Sequence, residues 1–297
     1  MAIRAVNLSL FFNILYFPSV TFLSHSREPS FSIEEKIFIF IMDTPKSFLN
    51  RIIFNKILYP LGETFGIPGW CRKPALGGLD DKLARYLDFR NGVFVEAGAN
   101  DGYSQSNTFY LEKGLKWKGV LVEAIPDLFE KCRKQRPQSK VFNAGLVSKS
   151  YVGKTLKLHY ANLMSIAEGS IEESELKRHV QAGLEVQGIE KSYSVEVPAV
   201  TFESIIEKSG FQKIDLLSLD LEGYEIEALK GWNFERHRPS YILIEVWSVS
   251  IETMDNLMKS NFYERVDQLS IHDYLYQDAM IIDSVGRDSL AVAGESV

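Results

Sequence analysis

The feature that most restricts the fold is a repeated alternation of short apolar runs with helical stretches. The runs are "GVFVEAG" (92–98), "KGVLVEAIP" (118–126), "SKVFNAGLVS" (139–148), "IDLLSLDLEG" (214–223) and "SYILIEVWS" (240–248). Between them lie segments with helical spacing: "QSNTFYLEKGL" (105–115), "DLFEKCRKQR" (127–136), "TFESIIEKSG" (201–210) and "YEIEALKGW" (224–232). Strands made of unbroken Val, Ile and Leu must be buried on both faces, which requires a mostly parallel sheet with helices on both sides. A further helix is expected over 251–260, and two late strands near 263–269 and 273–281. "KTLKLHY" (154–160) and "YSVEVPAV" (193–200) read as strands flanking a polar helical insert, "SIEESELKRHVQAG" (170–183). One α/β domain over 76–282 accommodates all of this, preceded by a helical segment over 43–75 and followed by a tail, 283–297. Within 43–75, "SFLNRIIFNKILYPL" (47–61) has the spacing of an amphipathic helix.

Composition is used here mainly to exclude. Apolar residues make up 45% of the chain and aromatics 12%, enough for a packed core. A formal net charge of −6 provides no basic balance for nucleic acid, and none is expected as a partner. Cys71 and Cys132 are the only cysteines and match neither a zinc knuckle nor a disulfide framework. Two isolated buried thiols, consistent with a reducing compartment, are the expectation. From Ala5 to Ser24 no residue is charged, while Arg4 precedes the run and Arg27 follows it. Length suits a signal or membrane anchor, whereas Asn7, Asn13 and Pro18 argue against a span. An unstructured extension over 1–42, with Met42 as the true start, stands beside that reading. Accordingly, a cytoplasmic soluble domain and a domain anchored through residues 5–24 are both open. Oligomeric state has no sequence signal.

In a parallel sheet of this kind, ligands bind beyond the carboxyl ends of the strands. The first such end reads "VEAGANDGYSQSNT" (95–108), with two glycines and acids on both sides. A phosphate-binding P-loop would carry Lys and Ser or Thr after its second glycine, and here Tyr103 follows. The dinucleotide pattern requires a third glycine that is missing, and Glu96 and Asp101 would repel a pyrophosphate. Acids suit a ligand bearing an ammonium or sulfonium cation. Glu123 closes the second strand, where a carboxylate can accept hydrogen bonds from both hydroxyls of a ribose. A bound nucleoside accounts for both strand ends together; each alone is equally compatible with a surface turn.

"FVEAGANDGYSQSNTFYLEKGLKWKGVLVEAIPDLFEK", "IDLLSLDLEGYEIEALKGW" and "YILIEVWS", in that order, resemble the FkbM family of S-adenosylmethionine-dependent methyltransferases over most of Gly92 to Asp278. The resemblance implies a class I methyltransferase fold: a Rossmann-like, seven-stranded, mostly parallel sheet with an antiparallel last strand and helices on both faces. It also implies S-adenosyl-L-methionine as cofactor and a hydroxyl of a sugar, glycan or small natural product as acceptor. By the resemblance, Glu96, Gly98, Ala99, Asn100, Asp101 and Gly102 seat the methionine part of the cofactor. Gln105, Ser106 and Asn107 would open the next helix and bond the carboxylate through its N-terminus. Glu123 would hold the ribose, and Asn143 and Ala144 would border the adenine. Family members commonly carry Asp where this chain has Glu96.

Strand alternation sends Asp220 and Glu222, at the end of the fourth strand, to one side. Methylation of an alcohol requires a group that takes the hydroxyl proton as the C–O bond forms, and a partly buried carboxylate is suited to this. Asp220 is the expected base or substrate-orienting residue, with Glu222 in support. Alternatively, Asp220 binds the cofactor amine and Glu222 caps the helix beyond Gly223. Glu245 is a third acid at the same mouth; the three together could hold Mg²⁺ or Ca²⁺, although no metal is assigned. His237 reads as a surface residue, and "KCRKQRPQSK" (131–140) as a solvated basic face. Two readings from other classes are a non-catalytic methyltransferase-fold protein serving as a membrane-associated trafficking or interaction module, and, more remotely, an NAD-binding oxidoreductase.

Overall fold

A computed structural model describes residues 54–160, 166–167 and 193–281. The apolar run 5–24, the start of the 47–61 helix, the 170–183 insert and the 283–297 tail lie outside the described residues. Among the described residues no helix is long and apolar enough to cross a membrane.

The main sheet has seven strands. They are β1 (Val93–Ala97), β2 (Lys118–Glu123), β3 (Lys140–Asn143), β8 (Leu216–Leu219), β9 (Tyr241–Glu245), β10 (Tyr263–Gln268) and β11 (Asp273–Asp278). Their order across the sheet is β10-β11-β9-β8-β1-β2-β3. β1, β2, β3, β8 and β9 run parallel, with Val95 opposite both Val120 and Leu217. β11 is antiparallel to both of its neighbours, β9 and β10. The strand order reverses between β1 and β8, so a crevice opens there beyond the strand ends.

Alternation along the strands divides the core between the two faces. Val95, Val122, Leu217 and Ile244 face one side, where helix α5 (Phe202–Ser209) brings Phe202, Ile205 and Ile206, and helix α7 (Ile251–Ser260) brings Met254 and Met258. Phe94, Leu121, Leu216 and Leu243 face the other, under Leu79, Leu83 and Leu87 of helix α2 (Leu79–Leu87). Those three leucines recur every four residues, so one stripe of the helix is buried. Side-chain caps fix two helix starts: Thr201 accepts from the Ser204 N–H and Ser250 from the Thr253 N–H. In the described part of the expected 47–61 helix, a π-helical turn (Phe54–Leu58) leads into helix α1 (Tyr59–Phe65).

Three elements differ from expectation. The run 139–148 is two strands, not one: β3 stops at Asn143, whose Nδ2 donates to the carbonyls of Glu123 and Ala124, and β4 (Gly145–Leu146) leaves the main sheet. β4 pairs instead with β7 (Tyr193–Val200), in a second sheet ordered β4-β7-β5-β6 with β5 (Thr155–Tyr160) and β6 (Ile166–Ala167). Helix α3 covers Phe109–Lys113 only, so its start lies four residues beyond the expected Gln105. The reason is in the loop before it, described below. The strand expected over 214–223 ends at Leu219, which places Asp220 and Glu222 in the turn that follows.

Candidate active site

A cavity of about 290 Å³ opens at the carboxyl ends of β1, β2 and β8. Gly98, at the end of β1, has φ +83°, and its N–H donates to the Val122 carbonyl at 3.1 Å. A Cβ there would lie 1.8 Å from the Asp220 carbonyl oxygen, so only glycine lets the β1 and β8 turns approach this closely. Gly98→Ala is therefore expected to cost at least about 1–2 kcal/mol from the left-handed backbone alone, with further loss from the clash. Chemical denaturation measures it; a change below that range would show the turns free to separate.

The next residues form a hydrogen-bonded knot. Glu123 Oε2 accepts from the Asn100 N–H at 2.7 Å and Oε1 from the Ile125 N–H at 2.8 Å. Asp101 Oδ1 accepts from the N–H groups of Tyr103 and Ser104 at 2.9 and 2.7 Å, closing an Asx turn. Glu96 turns inward: Oε1 accepts from the Asn107 N–H and Oε2 from the Ser106 and Thr108 hydroxyls. Gln105 is held at φ +61° and its segment pairs with Ala75 in a parallel bridge. These bonds keep Gln105–Asn107 out of the helix. The expectation that the three residues offer a helix N-terminus is thus corrected, since the Asn107 N–H is already given to Glu96.

Arg136 underlies the knot. It is fully buried, not part of a solvated basic face. Its guanidinium donates to Glu112 Oε2 at 2.8 Å, to the Gly102 carbonyl at 3.1 Å, to the Ser106 hydroxyl at 3.2 Å and to the Thr108 hydroxyl at 3.0 Å. It lies 3.9 Å from Glu96. A planar fork with five N–H groups can bridge four separated acceptors in this way; an ammonium cannot.

Asp220, Glu222 and Glu245 meet at the mouth, with carboxyl oxygens all within 4.8 Å of one another. Burial, then the charge of Glu245, holds Asp220 well above the usual carboxylate range. Burial and the neighbouring Asp220 push Glu222 up to about 9, and burial with Glu222 pushes Glu245 up to about 7. Like charges this close cannot all ionise, so the group retains protons at neutral pH. Glu222 sits at φ +52° and the turn is tied by Glu225, whose Oε1 accepts from the Leu221 and Gly223 N–H groups. Glu225 thus fills the capping place that the sequence left open for Glu222. The acids could coordinate a cation, but their spacing is the sole indication, and no metal is assigned.

Of the expected residues, Glu96, Gly98, Asn100, Gln105, Ser106, Asn107, Glu123, Ala144, Asp220 and Glu222 line the cavity. Ala99, Asp101, Gly102 and Asn143 do not; they shape the loop and the end of β3. Sequence reasoning missed Ser104, Ile125, Ser218, Leu221, Tyr224 and Asp273 as lining residues, as well as Leu76 and Leu79 from the N-terminal side. His237 is buried, contrary to the surface reading, and its own carbonyl accepts from Trp232 Nε1 at 2.7 Å. Both cysteines are free and buried, with burial pushing Cys71 up to about 11 and Cys132 to about 12.

A β3-β2-β1-β8-β9-β11-β10 sheet with an antiparallel β11, and a glycine turn facing an acid at the end of β2, define a class I methyltransferase, a Rossmann-like α/β fold. The chain belongs to the methyltransferase FkbM domain family, whose model matches residues 96–276, more than half of the sequence. Several solved structures are similar at low identity. A TehB-like SAM-dependent methyltransferase from Corynebacterium glutamicum is 10% identical, with 67% of this chain and 87% of that chain covered and a TM-score of 0.36. An O-methyltransferase from Bacillus cereus, in complex with SAH, is 12% identical, with 82% and 96% covered and a TM-score of 0.35. A methyltransferase from Geobacter sulfurreducens is 10% identical, with 84% and 96% covered and a TM-score of 0.38. No curated protein matches. S-adenosyl-L-methionine is the cofactor of this family and fold. The cavity suits it chemically: buried Glu123 faces a space reached by the Gly98 backbone, and among the described residues no lining side chain carries a positive charge to oppose a sulfonium.

Proposed function

We propose that the protein methylates a hydroxyl group on a sugar, glycan or small natural product. The observation that carries this reading is the meeting of Asp220, Glu222 and Glu245 at the mouth of a cavity whose far end is formed by the Gly98 turn and Glu123. When bound, S-adenosyl-L-methionine supplies an electrophilic methyl group on a cationic sulfur. Glu123 holds the ribose hydroxyls with the lone pairs left over from its two backbone N–H bonds. Gly98, Asn100, Gln105, Ser106 and Asn107 surround the amino-acid end, and Ala144 borders the base. The Ala99, Asp101, Gly102 and Asn143 positions support that surface from behind. Asp220 orients the acceptor hydroxyl and takes its proton as the oxygen bonds to carbon. Burial, then Glu245, raises the proton affinity of Asp220 well above that of an ordinary carboxylate. Most of the acceleration comes from holding the acceptor oxygen in line.

Calorimetry with S-adenosyl-L-methionine tests the first half. Glu123→Ala is expected to weaken binding about 10- to 100-fold, the loss of hydrogen bonds to a charged group; unchanged affinity would remove Glu123 from the site. NAD in the same instrument separates the oxidoreductase reading, and binding without turnover on any acceptor would favour the non-catalytic module.

Activity and stability should respond to pH in opposite senses. Glu222 and Glu245 are raised in the folded chain, so their contribution to stability is intact below the ordinary carboxylate range near 4.5 and is lost as pH rises through about 7 and about 9. Turnover needs Asp220 without its proton and should rise as pH increases. Glu222→Gln should flatten the stability profile between pH 7 and 9 when followed by thermal unfolding. A slope identical to the parent's would remove Glu222 as its source.

A further inference from the structure

We propose that Leu76 is a cofactor contact: its side chain lies over the amino-acid end of bound S-adenosyl-L-methionine and is covered by it in turn. The inference rests on that cofactor and on the placing of its amino-acid end at Gln105, and is independent of the acceptor. Leu76 stands upstream of the matched family span, 96–276, so the family match assigns it nothing. It lines the cavity yet is 64% exposed, whereas Leu79 on the same wall is buried. Single exposed leucines are common on protein surfaces; Leu76 is set apart by how firmly its backbone is held.

The residue before it, Ala75, forms the parallel bridge with Gln105, itself a wall residue. The Ala75 N–H donates to Asp80 Oδ2 at 2.8 Å, and Asp80 is buried in the first turn of α2. Further upstream the Arg72 guanidinium lies 4.9 Å above the Tyr103 ring and donates to both carboxyl oxygens of Glu63 at 2.6 Å. Downstream, Gly77 and Gly78 are both left-handed, at φ +59° and +73°, and turn the chain into α2. Leu76 is therefore tied to the cofactor loop on one side and to a packed helix on the other. A side chain presented this way before any ligand arrives avoids the ordering cost of a mobile flap. The methionine arm of the cofactor has CH₂ groups between its ionic ends. Asn100, Gln105, Ser106 and Asn107 offer it polar atoms. Leu76, one residue beyond the bridge to Gln105, supplies apolar surface for the CH₂ groups.

The test is calorimetry of the full chain with S-adenosyl-L-homocysteine, the demethylated cofactor, so neither acceptor nor turnover enters. Leu76→Ala is expected to weaken binding about 3- to 20-fold, the scale of losing contact with the exposed part of a leucine. The heat-capacity change of binding should also become less negative, the mark of less apolar surface covered. Melting of the free chain should stay within about 1 °C, since the side chain is 64% exposed. Leu76→Met, of similar volume, should keep affinity within about twofold of the parent. Unchanged affinity in Leu76→Ala overturns the proposal. So does a melting point lowered by several degrees with affinity intact, which would show Leu76 packed on its own chain. A Leu76→Met variant as weak as Leu76→Ala overturns it too, because apolar cover would then not be the cause. A parent chain that binds no S-adenosyl-L-homocysteine would remove the cofactor, and this contact with it.

Discussion

Asp220→Asn is expected to slow methyl transfer by about 10²- to 10⁴-fold, the usual contribution of a positioned acid or base, while affinity for S-adenosyl-L-methionine stays within about threefold. Asparagine has the size of aspartate and keeps the backbone bond from the 220 N–H to the Ala97 carbonyl. The close contact of Gly98 with the Asp220 carbonyl involves main chain only and survives as well. What disappears is the ability to take a proton. Removing one acid also relieves the other two, so the pH at which the remaining carboxyls ionise should fall. Single-turnover rates and calorimetry on the same preparation measure both effects. Equal losses in rate and in cofactor affinity would assign Asp220 to the cofactor amine rather than to the acceptor.

Arg136→Leu should cost about 3–5 kcal/mol of stability, the penalty for leaving the partner of a buried ion pair without its counter-charge. Glu112 is buried at 4% exposure and Glu96 likewise, and the guanidinium is the main offset to the desolvation of both. Ser106, Thr108 and the Gly102 carbonyl lose donors at the same time. Arg136→Lys restores the charge but not the fork, so it should recover only part of the loss. Urea midpoints at constant m-value give the answer; a change under about 1 kcal/mol would mean that water replaces the guanidinium, and the loop would need no such support.

The two arginine partners explain what was legible in the sequence and what was not. Strand ends were readable because unbroken apolar runs stop at recognisable polar residues: Glu96, Glu123 and Glu245 all stand where the periodicity places them, whereas Asp220 falls in the turn beyond its strand. Helix α3 was misjudged at its start because helical spacing does not reveal that Glu96 captures the Asn107 N–H from another element. Arg136 was misread for a similar reason. It sits among lysines and glutamines that are exposed, and its burial depends on acceptors from a segment some thirty residues earlier. The departure of β4 into a second sheet hangs on one amide, that of Asn143, seized by two carbonyls of the neighbouring strand. Such long-range polar contacts leave no periodic trace. Hydrophobic pattern therefore predicted the layers well and the loops poorly, and the loops are where the chemistry is.

The parallel bridge between Ala75 and Gln105 has a practical corollary for anyone trimming this polypeptide. Arg72 stacks over the Tyr103 ring at 4.9 Å, and Leu76 and Leu79 form part of the cavity wall, all upstream of the matched span. Expression of residues 96–276 by themselves would produce a scaffold with one side of its binding chamber missing. A fragment that keeps this wall and the Arg72 contact has to begin before Arg72.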